Sequence, residues 1–495
     1  MSQILEWCYR IVWGVPALAL IIGVGLYLSF RTGFAQVRLF PRAFVDFLRR
    51  FRPGVSKPGE TSAFGALCTA LAATVGTGNL AGVAGAIAIG GPGAIFWMWL
   101  CGILGMVTKL AEAVLSVRYR VKSGTEFLGG PMYMIGRGMG RRWRWMAGAY
   151  SVFGIVAAFG VGNATQINAV ISGWNDCLLA FGAEPTGKGN LLLGILLGSV
   201  VLVLLLGGAG RIGAVTEKLV PLAAAAYLLL GTVVLVLRRD AIGDAFCSII
   251  QGAFSPQAVT GGVIGSAVAT LRVGISRGVF TNEAGMGTAG IAHAGANVSH
   301  PVEQGLMGIM EVFLDTIVIC TMTALVILCS GVPVPYGTDV GLSLTISSFS
   351  AVVGDWSRVF IAISVCLFAF ATVLGWGLYG ARCAQYLFGG SAWKLFAVLQ
   401  ACVVVVSATL RTQTVWLLAE VVNGLMAIPN LIALAALCPE LCRLIIDFQR
   451  KTGTAAGGGT LCKYPSTQTA ASPRLCVNST PSQLRRRSRE RKYIT

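Results

Sequence analysis

Apolar stretches of bilayer length recur from one end of this chain to the other, and they constrain the fold more than any other feature. Each runs to about 20 residues, enough for a helix to cross a hydrocarbon core ~30 Å thick. Backbone polar groups find no partners in lipid, so helices are the form such runs take. A β-barrel would need short alternating segments instead. Composition agrees: 12% of the 495 residues are charged, where a soluble domain carries roughly 25%. The fold class is therefore an all-α integral membrane protein. About eleven transmembrane helices are expected, at 11–30, 62–87, 92–117, 145–172, 190–207, 214–237, 270–297, 305–331, 357–381, 393–410 and 413–437. A further apolar segment, 250–269, reads as an extracellular or re-entrant helix feeding the seventh span. The first run lacks a small-residue cleavage site and reads as a retained helix.

The net charge is +18, but its placement is that of membrane topology, not of a nucleic-acid footprint. Arg31, Arg38, Arg42, Arg49, Arg50, Arg52 and Lys57 follow the first span, and Arg118, Arg120, Lys122, Arg137, Arg141, Arg142 and Arg144 follow the third. Both loops should be cytoplasmic, while 173–189 and 332–356 are loops poor in Lys and Arg. With eleven spans this sets the N-terminus outside and the C-terminus inside, in a cell membrane such as the bacterial inner membrane. Arg238 and Arg239 fall on the predicted outer side, against the rule, although Asp240 and Asp244 follow them. The organisation expected is an N-terminal helix and basic loop (1–61), a first five-helix repeat (62–237), an extracellular or re-entrant segment (238–269), a second repeat (270–445) and a disordered basic tail (446–495).

Fourteen cysteines are scattered through apolar runs without paired spacing, and the only histidines are His293 and His300. That excludes a zinc-like centre from the sequence signals. No nucleophile–base pair stands out, and no Gly-x-x-x-x-Gly-Lys-Ser/Thr loop is present. An enzyme is not expected, and neither is a cofactor.

Two places interrupt the apolar helices with glycine and polar groups. The second span contains Thr74-Val75-Gly76-Thr77-Gly78-Asn79, where each glycine weakens a helix by about 1 kcal/mol. Irregular backbone at membrane depth must face protein or a water-filled cavity. If the helix breaks here, amides at Gly78 and Asn79 form an anion site at a half-helix N-terminus. Carbonyls near Ala72 and Val75, with hydroxyls of Thr74 or Thr77, suit a small hard cation. Close packing by small residues is the plain alternative. The second interruption, Phe280-Thr281-Asn282-Glu283-Ala284-Gly285-Met286-Gly287-Thr288, lies five spans later. With the N-terminal span set aside, the interruptions open two five-helix halves. An odd number of helices per half inverts the second half, and paired interruptions of this kind point to a transporter's midplane site.

Three stretches carry a specific resemblance: Val75-Gly76-Thr77-Gly78-Asn79-Leu80-Ala81-Gly82-Val83, Gly90-Gly91-Pro92-Gly93-Ala94-Ile95-Phe96-Trp97-Met98-Trp99, and Gly278-Val279-Phe280-Thr281-Asn282-Glu283-Ala284-Gly285-Met286-Gly287. Over roughly residues 10–445 the chain resembles the alanine or glycine:cation symporter family, also called sodium:alanine symporters. The resemblance implies a LeuT-like fold, a 5+5 inverted repeat with an extra N-terminal helix. It also implies amides of Thr77, Gly78 and Asn79 on a substrate carboxylate, and carbonyls of Phe280, Thr281 and Ala284 on its amine. Gly285 lies beside these, and Met286 would line a small side-chain pocket. Asn79 and Thr281 match one sodium site, and Ala72, Val75 and Thr372 the more widely shared second one. The partners implied are alanine or glycine, sodium and membrane lipid.

Other polar groups keep two readings. Gln166, with Asn168 nearby, bonds either the substrate or a neighbouring helix. Trp376, flanked by Gly375 and Gly377, either caps the pocket or is ordinary packing; Trp97 and Trp99 read as anchors of an outer helix end. Arg272 or Arg277 with Glu311 and Asp315 forms either an Arg–carboxylate gate or a static pair. Asp315 alternatively serves a cation. Lys109 and Glu112, three apart, read as a structural pair. The function expected is sodium-coupled import of a small neutral amino acid. The rivals are a proton-coupled carrier of the same fold, with Asp315, Glu311 or Glu283 carrying the proton, and a channel.

Overall fold

The computed structural model describes residues 14–50, 61–124, 126–338, 340–409 and 413–453, with Trp7 and Val12 besides. Arg52 and Lys57 of the first basic loop lie outside these residues, as does the tail from 454 onward with its expected disorder.

Almost everything described is helix. The chain runs through α1 (Val15–Arg31), α2 (Phe40–Arg50), α3 (Ala63–Thr74) and α4 (Val83–Gly90), then α5 (Ala94–Arg118). A short hairpin follows, β1 (Val121–Ser123) against β2 (Glu126–Leu128), with Lys122 opposite Phe127. Next come α6 (Arg144–Phe159), α7 (Thr165–Ala180), α8 (Gly187–Leu206), α9 (Gly208–Leu237) and α10 (Ile242–Phe254). The later helices are α11 (Ala267–Asn282), α12 (Thr288–His293), α13 (Pro301–Val312), α14 (Thr321–Cys329) and α15 (Gly341–Val353), then α16 (Trp356–Phe388), α17 (Ala392–Ser407) and α18 (Gln413–Lys451). Side-chain caps start several of them: Ser62 accepts from the Gly65 amide and Ser266 from the Ala269 amide.

The packing has a repeated logic. α5 lies against α13, α6 and α7 against α16, and α8 against α17. Three helices of the first half thus meet their counterparts in the second, as an approximate two-fold between inverted halves predicts. α8 and α9 leave rows of apolar side chains uncovered, among them Leu192, Leu196, Val203, Leu222, Leu229 and Val236. α5, by contrast, is mostly enclosed. That is the pattern of a bundle with lipid outside and a packed interior.

Length and apolarity qualify seven of the described helices as spans, or eight when the bent pair Ala63–Thr74 and Gly78–Gly90 counts as one. The expected eleven are therefore not all of spanning length. Pro16–Arg31 and Ala392–Ser407 are shorter apolar helices, and the seventh expected span is split into α11 and α12. The loop expected at 332–356 contains α15, a helix that buries Leu344, Ile346 and Phe349 between serines. It is apolar but only 13 residues long, too short to stand out as a span. α18 continues past residue 445 to Lys451, through Pro429 and Pro439.

One end of the bundle gathers the arginines. Arg50 meets Glu303 at 2.8 Å, Arg118 meets Glu440 at 2.9 Å, and Arg120 donates to the carbonyls of Ala294 and Ala296. At the other end the Gly337 amide bonds the Ala88 carbonyl, and Gly93 sits so close to Gly252 that no side chain fits between them.

Candidate functional site

The first interruption is a real break. α3 ends at Thr74, Val75 is extended (φ −77, ψ 95), and a π-helical turn, Gly78–Gly82, resumes the chain at 53° to α3. The bend would leave the Gly76 amide without its helical acceptor. Asn79 supplies one, its Oδ1 accepting from that amide at 3.0 Å. The Asn79 Nδ2 then donates to Asp315 Oδ1 at 2.7 Å, inside the π-helical turn Phe313–Cys320 between α13 and α14. Asn79 thus fastens the break to the neighbouring bundle while its own side chain is fully engaged.

Two helices close on Gly76. A Cβ there would fall 2.8 Å from Thr372 Oγ1 and 3.4 Å from Gln166 Oε1. Thr372 Oγ1 lies 3.0 Å from the Ala72 carbonyl and 3.0 Å from the Phe368 carbonyl of its own helix. The hydroxyl has one proton for two acceptors. When that proton rests on Phe368, the Ala72 carbonyl and the threonine lone pair face each other, two hard oxygens with nothing positive between them. Gln166 is brought to the break as well, its Oε1 taking the Thr77 hydroxyl at 3.2 Å. The hydroxyl of Thr74 is occupied by its own helix, at Ala70 and Leu71.

The second interruption unwinds further. Glu283, Gly285 and Gly287 all have positive φ (52, 95 and 80). Gly287 cannot be otherwise, since a Cβ there would strike Pro131 at 2.3 Å and Asn430 at 2.7 Å. The freed amides of Gly285 and Gly287 both point at Glu112 Oε1, at 2.9 and 3.0 Å. Asn430 of α18 donates to the same oxygen and to the Gly285 carbonyl, each at 2.8 Å. Tyr150 holds the Met286 carbonyl at 3.1 Å. The Ala284 methyl packs toward Gly105 of α5, and its amide is held by Asn282 Oδ1. The two breaks face each other: a Cβ on Gly78 would lie 3.3 Å from Thr281 and 3.4 Å from the Phe280 ring. The Thr281 hydroxyl itself turns back to the Gly278 carbonyl at 2.9 Å.

Trp376 is buried, its Nε1 donating to Glu283 Oε1 at 2.9 Å, while Thr288 serves Glu283 Oε2 at 2.6 Å. The space for the indole comes from Gly162, in the π-helical turn Gly160–Ala164; a Cβ there would sit 2.2 Å from Trp376 Cβ. The neighbouring Gly375 and Gly377 serve other contacts, admitting Ala73 and Leu205. Trp376 is thus a pinned wall beside the second break. Trp376→Ala should widen the range of side chains that compete for uptake, checked with a panel of unlabelled amino acids. An unchanged profile would leave the indole as packing alone.

The charged pairs differ from those expected. Lys109 does not pair with Glu112; its Nζ reaches Glu311 Oε1 at 2.8 Å, both side chains at zero exposure. The other Glu311 oxygen is 3.0 Å from His293 Nε2. Gln304 Nε2 donates to the Ala63 carbonyl at 3.3 Å and to His293 Nδ1 at 2.6 Å, which leaves His293 Nε2 as the donor to Glu311. The Arg–carboxylate gate expected from Arg277, Glu311 and Asp315 is not formed. Glu311 is held by Lys109 and His293, and Asp315 by Asn79 and Thr316. Arg277 is partly buried with no ion pair among the described residues, and Arg272 is exposed. An i,i+3 reading of one helix cannot see the partner that α13 brings in. His293, Glu112 and Asn430 escape the sequence reading of the site. Glu112 at least has a signal, as a carboxylate in an apolar run; Asn430 has none.

Trp97 and Trp99 anchor an end of α5, with the Trp99 indole donating to Thr321 at 2.7 Å and Trp97 packed on Phe254.

Two interrupted helices that cross with their breaks in contact, inside a helical bundle of two interleaved halves, define a transporter rather than an enzyme. The bundle superposes on the crystal structure of MhsT in complex with L-phenylalanine with a TM-score of 0.52 over 78% of this chain and 99% of that one, at 15% identity, so the fold is LeuT-like. The chain belongs to the sodium:alanine symporter family, whose family profile matches residues 1–457. It is 42% identical over 432 residues to the sodium/alanine symporter AgcS of Methanococcus maripaludis, covering 86% of this chain and 92% of that one. It is 37% identical over 461 residues to the probable sodium/glutamine symporter GlnT of Bacillus subtilis, covering 91% and 92%. An uncharacterized transporter of Haemophilus influenzae is similar at 41% over 443 residues, covering 88% and 94%. The protein is a multi-pass membrane symporter for amino acids.

Proposed function

We propose that this protein imports a small neutral amino acid, alanine or glycine or both, together with sodium by alternating access. The observation that supports this most is the contact between the breaks, with Gly78 against Phe280 and Thr281 while Gln166 and Thr372 converge on Gly76. In this reading the amides of Thr77, Gly78 and Asn79 take the substrate carboxylate. The carbonyls of Phe280, Thr281 and Ala284 take its ammonium group. Gly285, Met286, Gln166 and Trp376 would bound the rest and restrict the substrate to a small side chain.

Sodium would be held by the carbonyls of Ala72 and Val75 and by Thr372 Oγ1. The pair of acceptors at Ala72 and Thr372, 3.0 Å apart, supports that assignment, because a cation satisfies both oxygens at once. A second ion beside the substrate would draw on Asn79 Oδ1 and Thr281 Oγ1, which would have to turn from the Gly76 amide and the Gly278 carbonyl to reach it. Ordering the first break with sodium prepares its amides for the carboxylate, so each ligand tightens the other by the same factor. The basic end of the bundle is read as cytoplasmic, which sets the N-terminus outside, the C-terminus inside and the inward sodium gradient as the driving force.

The carboxylate assignment has a direct test. Free alanine and glycine should compete with labelled alanine for uptake, and alanine methyl ester should not. Competition by the ester as strong as by alanine would remove the anion role from the first break.

A further inference from the structure

The structure holds four carboxyl side chains in its buried interior among the described residues, Glu112, Glu283, Glu311 and Asp315. Three of them have a donor on each oxygen. Glu283 has Trp376 and Thr288, Glu311 has Lys109 and His293, and Asp315 has Asn79 and Thr316. Glu112 is different. Its Oε1 collects three donors, from Gly285, Gly287 and Asn430, while its Oε2 is buried with none. An ionised carboxylate has two equivalent oxygens, and burying one of them bare is costly. A carboxylic acid has one oxygen that accepts and one that donates.

The acceptor for such a donor is at hand. Asn430 gives an Nδ2 proton to Glu112 Oε1 at 2.8 Å, and its own Oδ1 is buried without a partner among the described residues. An acid and a primary amide close a ring through two bonds, amide N–H to acid C=O and acid O–H to amide C=O. The first of these is observed. The two oxygens that the second would join are both without a partner among the described residues.

We propose that Glu112 and Asn430 form a proton-binding site, in which Glu112 carries the proton on Oε2 and donates it to Asn430 Oδ1. The proton comes from water and no covalent bond to carbon changes. A sodium ion fits these two atoms poorly, since it takes several oxygens at once, and the donors already on Oε1 leave little of the carboxyl for it. The charged and titratable groups around Glu112 are Lys109 on α5, Glu311 on α13, Tyr150 on α6 and Tyr379 on α16. Glu283 and Glu311 share the surroundings of Lys109. Lys109 is bonded to Glu311 and not to Glu112, so its charge is already matched.

The protonated pair latches three elements, α5, the second break and α18. Losing the proton leaves both oxygens as acceptors without a donor and loosens α18 from Gly285. The site stands on geometry alone; its bearing on transport rests on the carrier reading above.

The test is infrared difference spectroscopy on the full-length protein in nanodiscs, titrated from acid to alkaline pH at fixed sodium without substrate. At neutral pH the wild type should show the carbonyl stretch of a hydrogen-bonded carboxylic acid, lost at alkaline pH. Glu112→Gln should lack that band and should fold normally, because the glutamine amide reproduces the bonds of the acid. Asn430→Leu should shift the band to higher frequency by removing its acceptor. The proposal is overturned by a wild type without the band at neutral pH, by an undiminished band in Glu112→Gln, or by a Glu112→Gln protein that does not fold. None of these readouts needs transport, so the carrier reading can fail separately in uptake assays.

Discussion

Lys109→Ala is expected to cost the folded protein about 3–5 kcal/mol, the usual penalty for removing one partner of a buried ion pair. Glu311 would remain at zero exposure with its Oε1 bare and only His293 on Oε2. His293 would keep its single bond to Oε2, and α13 would lose its ion pair to α5. The measurement is thermal or denaturant unfolding of the purified protein in detergent. A double variant, Lys109→Met with Glu311→Gln, should recover most of the loss, because it removes the uncompensated charge along with its partner. A Lys109→Ala protein as stable as wild type would mean that water or another cation reaches Glu311, contradicting the sealed geometry.

Asn79→Ala should abolish sodium-driven uptake while the protein still folds in the membrane. The substitution strips the Gly76 amide of its acceptor and Asp315 of its donor. Leaving a buried polar group without its partner costs about 1–3 kcal/mol, and each 1.4 kcal/mol is about tenfold in an equilibrium. Losing the Asp315 bond alone should therefore weaken the ordered form of the break by roughly tenfold to a hundredfold. Asn79→Asp should do no better, since it sets a second carboxylate beside Asp315. Near-normal uptake by Asn79→Ala in proteoliposomes would refute the role of the first break.

Much of this site is legible in the amino-acid sequence, for a physical reason. Glycine and hydroxyl residues inside an apolar run are expensive unless they line something, so Gly76, Gly78, Asn79 and the stretch around Gly285 stand out from their surroundings. Both breaks lie where those residues predict them, and Gln166 and Thr372 converge on the first. Less legible is everything that depends on which helices touch. Glu112 and Asn430 are separated by 318 residues and meet only because α5 and α18 both flank the second break. Trp376 draws notice through its own flanking glycines, while the space for its ring comes from Gly162 on another helix. The spacing along α5 points to a partner for Lys109 one turn away, and the partner is on α13. α15 escapes a hydropathy reading because its 13 apolar and hydroxyl residues fall short of a spanning run and contain no break.

The central claim is that the two facing breaks bind a small amino acid and sodium together. Counterflow of labelled alanine into proteoliposomes preloaded with unlabelled alanine, with sodium present or replaced by potassium, tests it most directly. Transient accumulation of label should require sodium and should disappear when Thr372→Ala removes the hydroxyl that faces the Ala72 carbonyl. Equal accumulation with potassium, or sodium-dependent counterflow undiminished in Thr372→Ala, would contradict the account.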